Sequence, residues 1–460
     1  MRKNRSRRLQ AANTASEIKS KRIFSNLFYK AWLVVTGFYN SLVTLYIVLL
    51  LALNSIWKIG KRPKNFRPVP PGKKLKVGIV SEYYFPHLGG LSGDVHYAAV
   101  EFAKKGYDVK LITSKVAEPH NLRYSEQGFE IIRLGRSVPI IANGSLAKVS
   151  FALNLGSQIK RMMKEQEFDV IHIHCPLTPV LPLMIQRYAD CPVVGHVHTF
   201  LKTKPIYYSW FEKHLSRFMN DMEGRIAISK VCAKPFSDWF HCDFEILPNG
   251  VPIDEFSAHH PKIPRFDDDK VNLFFIGRME PRNGIATLID AFRIIHQEEP
   301  NTRLILAGAG PLKNYFENTI ESSLAPHVHF VGPILEEKPQ YFATADINIC
   351  PTTPVSALGV TLLESMASGK PSVCSDMPAY RETVDPGKDV LMAHPFKPEE
   401  FAHQVLRLIG EPGLGAMIAK RAKRKMEEFY SWAYIIDQVD QYTNNILGRL
   451  KDEQQKSGTE

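Results

Sequence analysis

Three kinds of hydrophobic patterning follow one another along the 460-residue chain. Residues 31–57, AWLVVTGFYNSLVTLYIVLLLALNSIW, carry no charged side chain. A run of this length exceeds the roughly 20 residues a helix needs to cross a bilayer. Trp32 and Trp57 stand near its ends, where amphipathic rings favour the interface. A membrane helix over 31–57 is therefore expected; the run is too long, and the basic stretch before it too extended, for a cleaved signal peptide.

After a Pro-rich tether the pattern changes to short apolar runs alternating with helical periodicity. LKVGIVSEYY (75–84) is followed by the glycine turn of FPHLGGLSGDV and by a helix carrying Val95, Ala98, Ala99, Phe102 and Ala103. Gly106 then precedes a second strand, DVKLIT, which completes a βαβ unit. DVIHIHC (169–175), PVVGHVH (192–198) and GRIAIS (224–229) read as parallel strands buried on both faces. FEILPNGVPIDEF, Phe244 to Phe256, marks a boundary with its Asn-Gly turn and prolines.

The pattern restarts at KVNLFFIGRM (270–279) and runs through TRLILAGAG, HVHFVG, ADINICP and PSVCS, with a helix around IATLIDAFRII. Between the last two strands, SALGVTLLESMASGKP predicts a short helix opened by Gly359 and closed by Gly369 and Pro371. Leu362, Leu363 and Met366 form its apolar stripe, and one carboxylate, Glu364, sits among them. Two such doubly wound halves place their ligand loops at the carboxyl ends of the strands, facing each other across a cleft. The expected organisation is a basic segment (1–30), the membrane helix (31–57), a basic tether (58–74), a first domain (75–250), a second (251–430), a helix (431–448) able to pack back on the first domain, and a polar tail (449–460).

Charge changes the picture only at the flanks. The formal net charge is +11, yet residues 1–30 and 58–76 each contribute +8, which leaves the rest of the chain at −5. A nucleic-acid groove needs its positive charge on the folded body, so that class is excluded. Lysine and arginine around an apolar run suit a membrane surface, and the flank from Lys58 to Lys76 places the body in the cytosol. Six cysteines without a C-x-x-C pair indicate neither a disulfide framework nor a zinc finger, and Asn143-Gly-Ser would be a glycosylation acceptor only outside the cytosol.

HLGGLSGDV, VPIIANGS, FDVIHIHCPLTP, GHVHTF, EILPNGV, FIGRMEPRNG, LILAGAGP, ALGVTLLESMASGKPSV and YSWAYIIDQ occur in this order over about 370 residues. In this ordered set, from Leu75 to about Leu447, the chain resembles the GT-B glycosyltransferases of family 4, most closely the phosphatidylinositol mannosyltransferases. The resemblance implies an α/β GT-B fold of two Rossmann-like domains and a nucleotide-sugar donor, GDP- or UDP-linked. It also implies transfer with retention of anomeric configuration, a lipid acceptor with a polyol headgroup, and no metal.

Carried over residue by residue, it assigns Glu364 to the donor ribose and the helix start at Gly359 and Val360 to the diphosphate, where N–H groups and the helix dipole favour anions. Arg278 would grip the phosphates. Gly308, Gly89 and Gly90 would let backbone approach the ligands, and His198 would stand beside the transferred sugar. His196 is expected on the opposite face. Two departures stand out. Ser356 occupies the place of the first acid in the family's Glu-x₇-Glu pair, and Asn283, beside Arg282, occupies that of a phosphate-binding lysine. A catalytically weak nucleotide-sugar-binding scaffold is the alternative these departures raise. The aromatic and basic stretch 200–218 reads either as a headgroup-facing surface or as an ordinary amphipathic helix.

Overall fold

The structure is a computed structural model. It describes Leu42 and Leu45, and residues 66–457 except 68, 70–72, 87–88, 117–127, 143–144, 153, 257–259 and 355–358. The membrane helix expected over 31–57 therefore lies outside the described residues apart from Leu42 and Leu45, and so does Ser356. Among the described residues, no helix is long and apolar enough to cross a membrane.

Two sheets organise the chain. The first holds β1 (Lys76–Val80), β2 (Asp108–Lys115), β3 (Glu130–Ala142), β4 (Ser145–Phe151), β5 (Val170–His174), β6 (Val193–Val197), β7 (Gly224–Ala227) and β8 (Glu245–Ile246). Its order is β4-β3-β2-β1-β5-β6-β7-β8, parallel throughout except for the antiparallel β3–β4 pair. The second holds β9 (Val271–Ile276), β10 (Thr302–Ala307), β11 (Val328–Gly332), β12 (Ile347–Cys350), β13 (Ser372–Ser375) and β14 (Leu391–Ala393), in the order β11-β10-β9-β12-β13-β14. In both sheets the strand order reverses beside the first strand, β1/β5 and β9/β12, and ligand crevices of open α/β sheets form at that switch point.

The strands are shorter than the apolar runs suggested. LKVGIVSEYY contributes only Lys76–Val80, and Arg278 stands two residues beyond the end of β9, not within it. The described residues of VPIIANGS, Val138–Ala142 and Ser145, belong to the antiparallel β3–β4 pair. The five residues of β5 and of β6 are buried on both faces, as continuous apolar runs require when helices cover a sheet.

The final helix, Trp432–Ser457, leaves the second lobe and packs on the first. Trp432, Ile435, Ile436, Val439 and Ile446 join the core beneath the helix Gly90–Lys104. A Cβ on Gly250 would stand 2.6 Å from the Trp432 ring, so this crossing needs glycine there. At the amino ends of the strands the tether is pinned by Lys73 to Asp169 at 2.8 Å, by Arg67 to Asp190 at 3.1 Å, and by Gln454 Nε2–H donating to the Phe66 carbonyl at 2.9 Å. The tether thus leaves the first lobe from the pole opposite the carboxyl ends of its strands.

Candidate active site between the two lobes

On the second lobe, Gly359 is the extended N-cap of the helix Val360–Ala367. As a glycine it has no side chain to cap the helix; Leu362 N–H goes to the Gly359 carbonyl at 3.0 Å, and among the described residues no capping side chain meets the N–H groups of Val360 and Thr361. Leu362, Leu363 and Met366 are fully buried, and Glu364, although charged, is only 5% exposed. Its Oε1 is paired with Lys338 Nζ, at the start of the helix Lys338–Thr344, and its Oε2 is buried without a hydrogen-bond partner. Burial raises the Glu364 carboxyl above its ordinary range, and the Lys338 ammonium opposes that rise.

Beyond β9, the Glu280 carboxylate, 2% exposed, holds two guanidiniums: Arg278 Nη2 at 2.8 Å and Arg282 Nε at 3.0 Å. Asn283 Nδ2–H donates to the Arg278 carbonyl at 2.6 Å, so this side chain closes the turn. Arg282, about a third exposed, carries the positive charge that the family's lysine would bring. Gly308, at the end of β10 with φ +133°, packs so closely that a Cβ would stand 1.9 Å from the Gly277 carbonyl oxygen. The Arg282 carbonyl accepts the Thr353 N–H at 2.8 Å, which ties this turn to the loop that leads to Gly359.

On the first lobe, Gly89 is the N-cap of the helix Gly90–Lys104, and Asp94 lies one turn in. Asp94 is 3% exposed; Asn249 Nδ2–H donates to its Oδ2 at 2.8 Å, and Oδ1 is buried without a partner. Burial first, and then the Glu364 charge, push the Asp94 carboxyl well above the usual carboxylate range. His198 Nδ1 stands 3.7 Å from Asp94 Oδ2, and burial pushes this imidazole down to about 4. Contact with Asp94 is therefore between a neutral ring and the carboxyl.

The expectation that His196 faces away from His198 is wrong. Residues two apart on a strand share a face, and His196 and His198 stack with ring centres 6.3 Å apart. Four histidines form a ladder on that face: His172 Nδ1 meets His196 Nε2 at 2.9 Å, and His174 Nδ1 meets His198 Nε2 at 2.9 Å. Burial lowers all four, His172 to about 3, so all are neutral near pH 7.

The lobes meet at these residues. A Cβ on Gly90 would lie 3.4 Å from the Val360 side chain, and Tyr97 Oη–H donates to Glu255 at 2.7 Å beside them. Gly89, Gly90 and His198 thus face Gly359, Val360 and Glu364. Arg278, Arg282, Asn283 and Gly308 line the carboxyl ends of β9 and β10 on the same lobe as Glu364. Sequence reading missed Asp94, Asn249, Lys338 and Glu280. A carboxylate one turn into a helix whose buried side also carries Val95, Ala98, Ala99 and Phe102 was the available signal for Asp94. Lys338, in EEKPQYF, looks like any surface lysine.

The family model described as Glycosyltransferase Family 4 matches residues 88–255, and that for Glycosyl transferases group 1 matches residues 270–411. Between them they take in both lobes and the facing loops. The chain belongs to glycosyltransferase family 4. A phosphatidyl-myo-inositol mannosyltransferase of Mycolicibacterium smegmatis is 27% identical over 376 residues, covering 81% of this chain and 95% of that one. An alpha-monoglucosyldiacylglycerol synthase of Streptococcus pneumoniae is 25% identical, covering 66% of this chain and 72% of that one. Among solved structures, Anabaena HepE in complex with UDP and glucose superposes with a TM-score of 0.63 at 19% identity, covering 80% of this chain and 99% of that one. TarM superposes at 0.64 with 12% identity, over 82% of this chain and all of that one. This family-4 glycosyltransferase therefore has the GT-B fold.

Proposed function

We propose that this glycosyltransferase moves a hexose, with retention, from a nucleotide sugar to a membrane lipid bearing a polyol headgroup. The observation that carries the reading is Glu364: a buried carboxylate with one unpartnered oxygen, behind an uncapped helix start, directly across from Asp94 and His198. Two vicinal hydroxyls of a ribose satisfy such an oxygen pair, and a diphosphate satisfies the helix N–H groups. Arg278 and Arg282, held apart by Glu280, meet the remaining phosphate charge. HepE was crystallised with UDP and with UDP-glucose, which supports a sugar nucleotide as donor.

No second acid stands at position 356, so a covalent sugar intermediate on that side chain is not available. We assign front-face transfer. The bond from anomeric carbon to diphosphate oxygen breaks, the acceptor oxygen bonds that carbon from the same side, and its proton passes to the departing diphosphate. The enzyme's part is to orient both substrates and to stabilise the anion. In this reading His198, neutral, and Asp94, whose carboxyl burial holds well above the usual carboxylate range, bind sugar hydroxyls.

The lipid acceptor rests on the named relatives, a phosphatidyl-myo-inositol mannosyltransferase and an alpha-monoglucosyldiacylglycerol synthase. Membrane attachment, with the lobes in the cytosol, rests on the uncharged run 31–57 between basic flanks. It gains support from the rim helices Ile206–Trp210 and Glu212–Asn220, where Ile206 (58%) and Trp210 (61%) are exposed beside Lys202 and Lys213. The test is transfer of labelled sugar from GDP- and UDP-hexoses to phosphatidylinositol or diacylglycerol in vesicles. Product in wild type, lost in Arg278→Ala and Glu364→Ala, is expected. Donor binding without product, unimproved by Ser356→Glu, would make the chain a binding scaffold instead.

A further inference from the structure

β5 and β6 run in register with His174 opposite His196, and one ring nitrogen from each of His174, His196 and His198 lies within 4.8 Å of one from each of the others. We propose that these three imidazoles form a site for a divalent transition ion of the zinc class, at the floor of the cleft. Three imidazoles suit zinc, copper or nickel and not magnesium or calcium, and three protein ligands leave one position open.

Two of the three outward nitrogens have a group facing them. A ligating histidine normally gives its second N–H to a carboxylate or another acceptor, which fixes its tautomer. His196 Nε2 is already engaged by His172 Nδ1 at 2.9 Å, which leaves Nδ1 as its ligating atom. His198 Nδ1 faces Asp94 Oδ2 at 3.7 Å, with the Asn249 side chain beside it, which leaves Nε2 turned toward His174. His174 Nδ1 and His198 Nε2 now share one proton across 2.9 Å. An ion at about 2.0–2.1 Å from each would take the proton's place and separate the two nitrogens slightly. The ring that carried the proton adopts its other neutral tautomer, so ligation strips no proton from the three rings; the ion itself adds two positive charges, and Asp94 is the carboxyl that stands beside His198. His198, 9% exposed, is the ligand that reaches the cleft and marks the route of entry.

An ion at this point occupies the His198 nitrogen that faces the ladder and locks the ring against the first lobe. Sugar transfer is then inhibited while the second-lobe donor contacts persist. This consequence rests on the role proposed for His198; ion binding does not.

Tag-free full-length chain, stripped with a chelator, is titrated with Co2+ alone and its visible d–d absorption recorded, followed by displacement with Zn2+. One tetrahedral Co2+ per chain, displaced by one Zn2+, is expected. His174→Gln and His196→Gln should each lose the absorption and bind at least tenfold more weakly, with thermal melts showing the fold retained. Asp94→Ala should weaken binding about 10- to 100-fold by removing the group that faces His198 Nδ1. Glu364→Ala should bind as wild type does. Folded wild type without d–d absorption, or absorption undiminished in His174→Gln and His196→Gln, overturns the site. Stoichiometric Zn2+ should abolish transfer but not the thermal shift given by the donor; binding without inhibition overturns the inhibitory role alone.

Discussion

Glu364 and Asp94 approach one another from different lobes, and each is disfavoured as an anion by burial. Lys338 settles which one keeps its charge: it pairs with Glu364, so Glu364 is the better acceptor and Asp94 the better donor. Replacing a charged acceptor costs about 1.5–3 kcal/mol, or roughly ten- to a hundredfold in binding. Glu364→Gln should therefore weaken the donor Kd by that factor in calorimetry, with little change in the melting temperature. Asp94 gives a sharper test. If it acts as a neutral carboxyl, Asp94→Asn should keep most of kcat, whereas Asp94→Ala should lose about a hundredfold. Equal losses in steady-state assays of the two variants would contradict the neutral role. Asn283, turned onto the Arg278 carbonyl, explains why losing the family's lysine need not remove phosphate binding: the charge sits next door on Arg282.

At the level of elements, β1 ends in a loop that bears a second buried acid. Glu82 is 1% exposed, accepts Ser150 Oγ–H at 2.7 Å, and is approached by the backbone N–H groups of Leu181 and Ser150. The nearby cation, Arg133, is engaged by the carbonyls of Ser114 and Phe85. Burial pushes the Glu82 carboxyl up to about 8 from 4.5. The native state thus keeps its proton over a range where the unfolded chain has lost it. Stability is full below about pH 4.5 on this account and falls as pH rises to about 8. Glu82→Gln should flatten that fall by a few kcal/mol, read as a melting temperature that drops less between pH 5 and pH 8 than wild type does. The helix Val360–Ala367 shows the same economy of means: an uncapped start and an apolar stripe place N–H donors and one carboxylate on a single side.

For the whole molecule, the two lobes are joined by more than the chain. Glu382 of the second lobe accepts the N–H groups of Lys230 and Val231 at 2.6 and 2.8 Å, at the start of a first-lobe helix. The closing helix adds Tyr107 Oη–H to Asp440 at 2.7 Å and the Trp432 contact at Gly250. The tether docks at the amino ends of β1, β5 and β6, while the exposed Ile206 and Trp210 follow the carboxyl end of β6. On the proposed membrane-bound arrangement, tether and rim helices would act from different ends of the first lobe. Ile206→Ser with Trp210→Ser should raise the apparent KM for lipid in vesicles about tenfold and leave the donor Kd unchanged, measured by transfer at varied vesicle concentration.

Periodicity alone determined the succession of strands and helices, the two halves and the identity of most core positions, because burial against a sheet or helix face is written at fixed spacing. Charge placement along the chain determined that the basic residues belong to flanks and not to a nucleic-acid surface. Motif order carried the family, and with it Glu364, Arg278 and His198. Tertiary structure alone decided which polar residues meet: Asp94 with Asn249 and His198, Lys338 with Glu364, Glu280 with two arginines, and four histidines in one ladder. The physical reason is that a polar group's role depends on the partner and the dielectric around it, and apart from Glu280 and its neighbouring arginines these partners lie on separate elements, tens to hundreds of residues apart. No local spacing encodes such a meeting; only the packed lobes do.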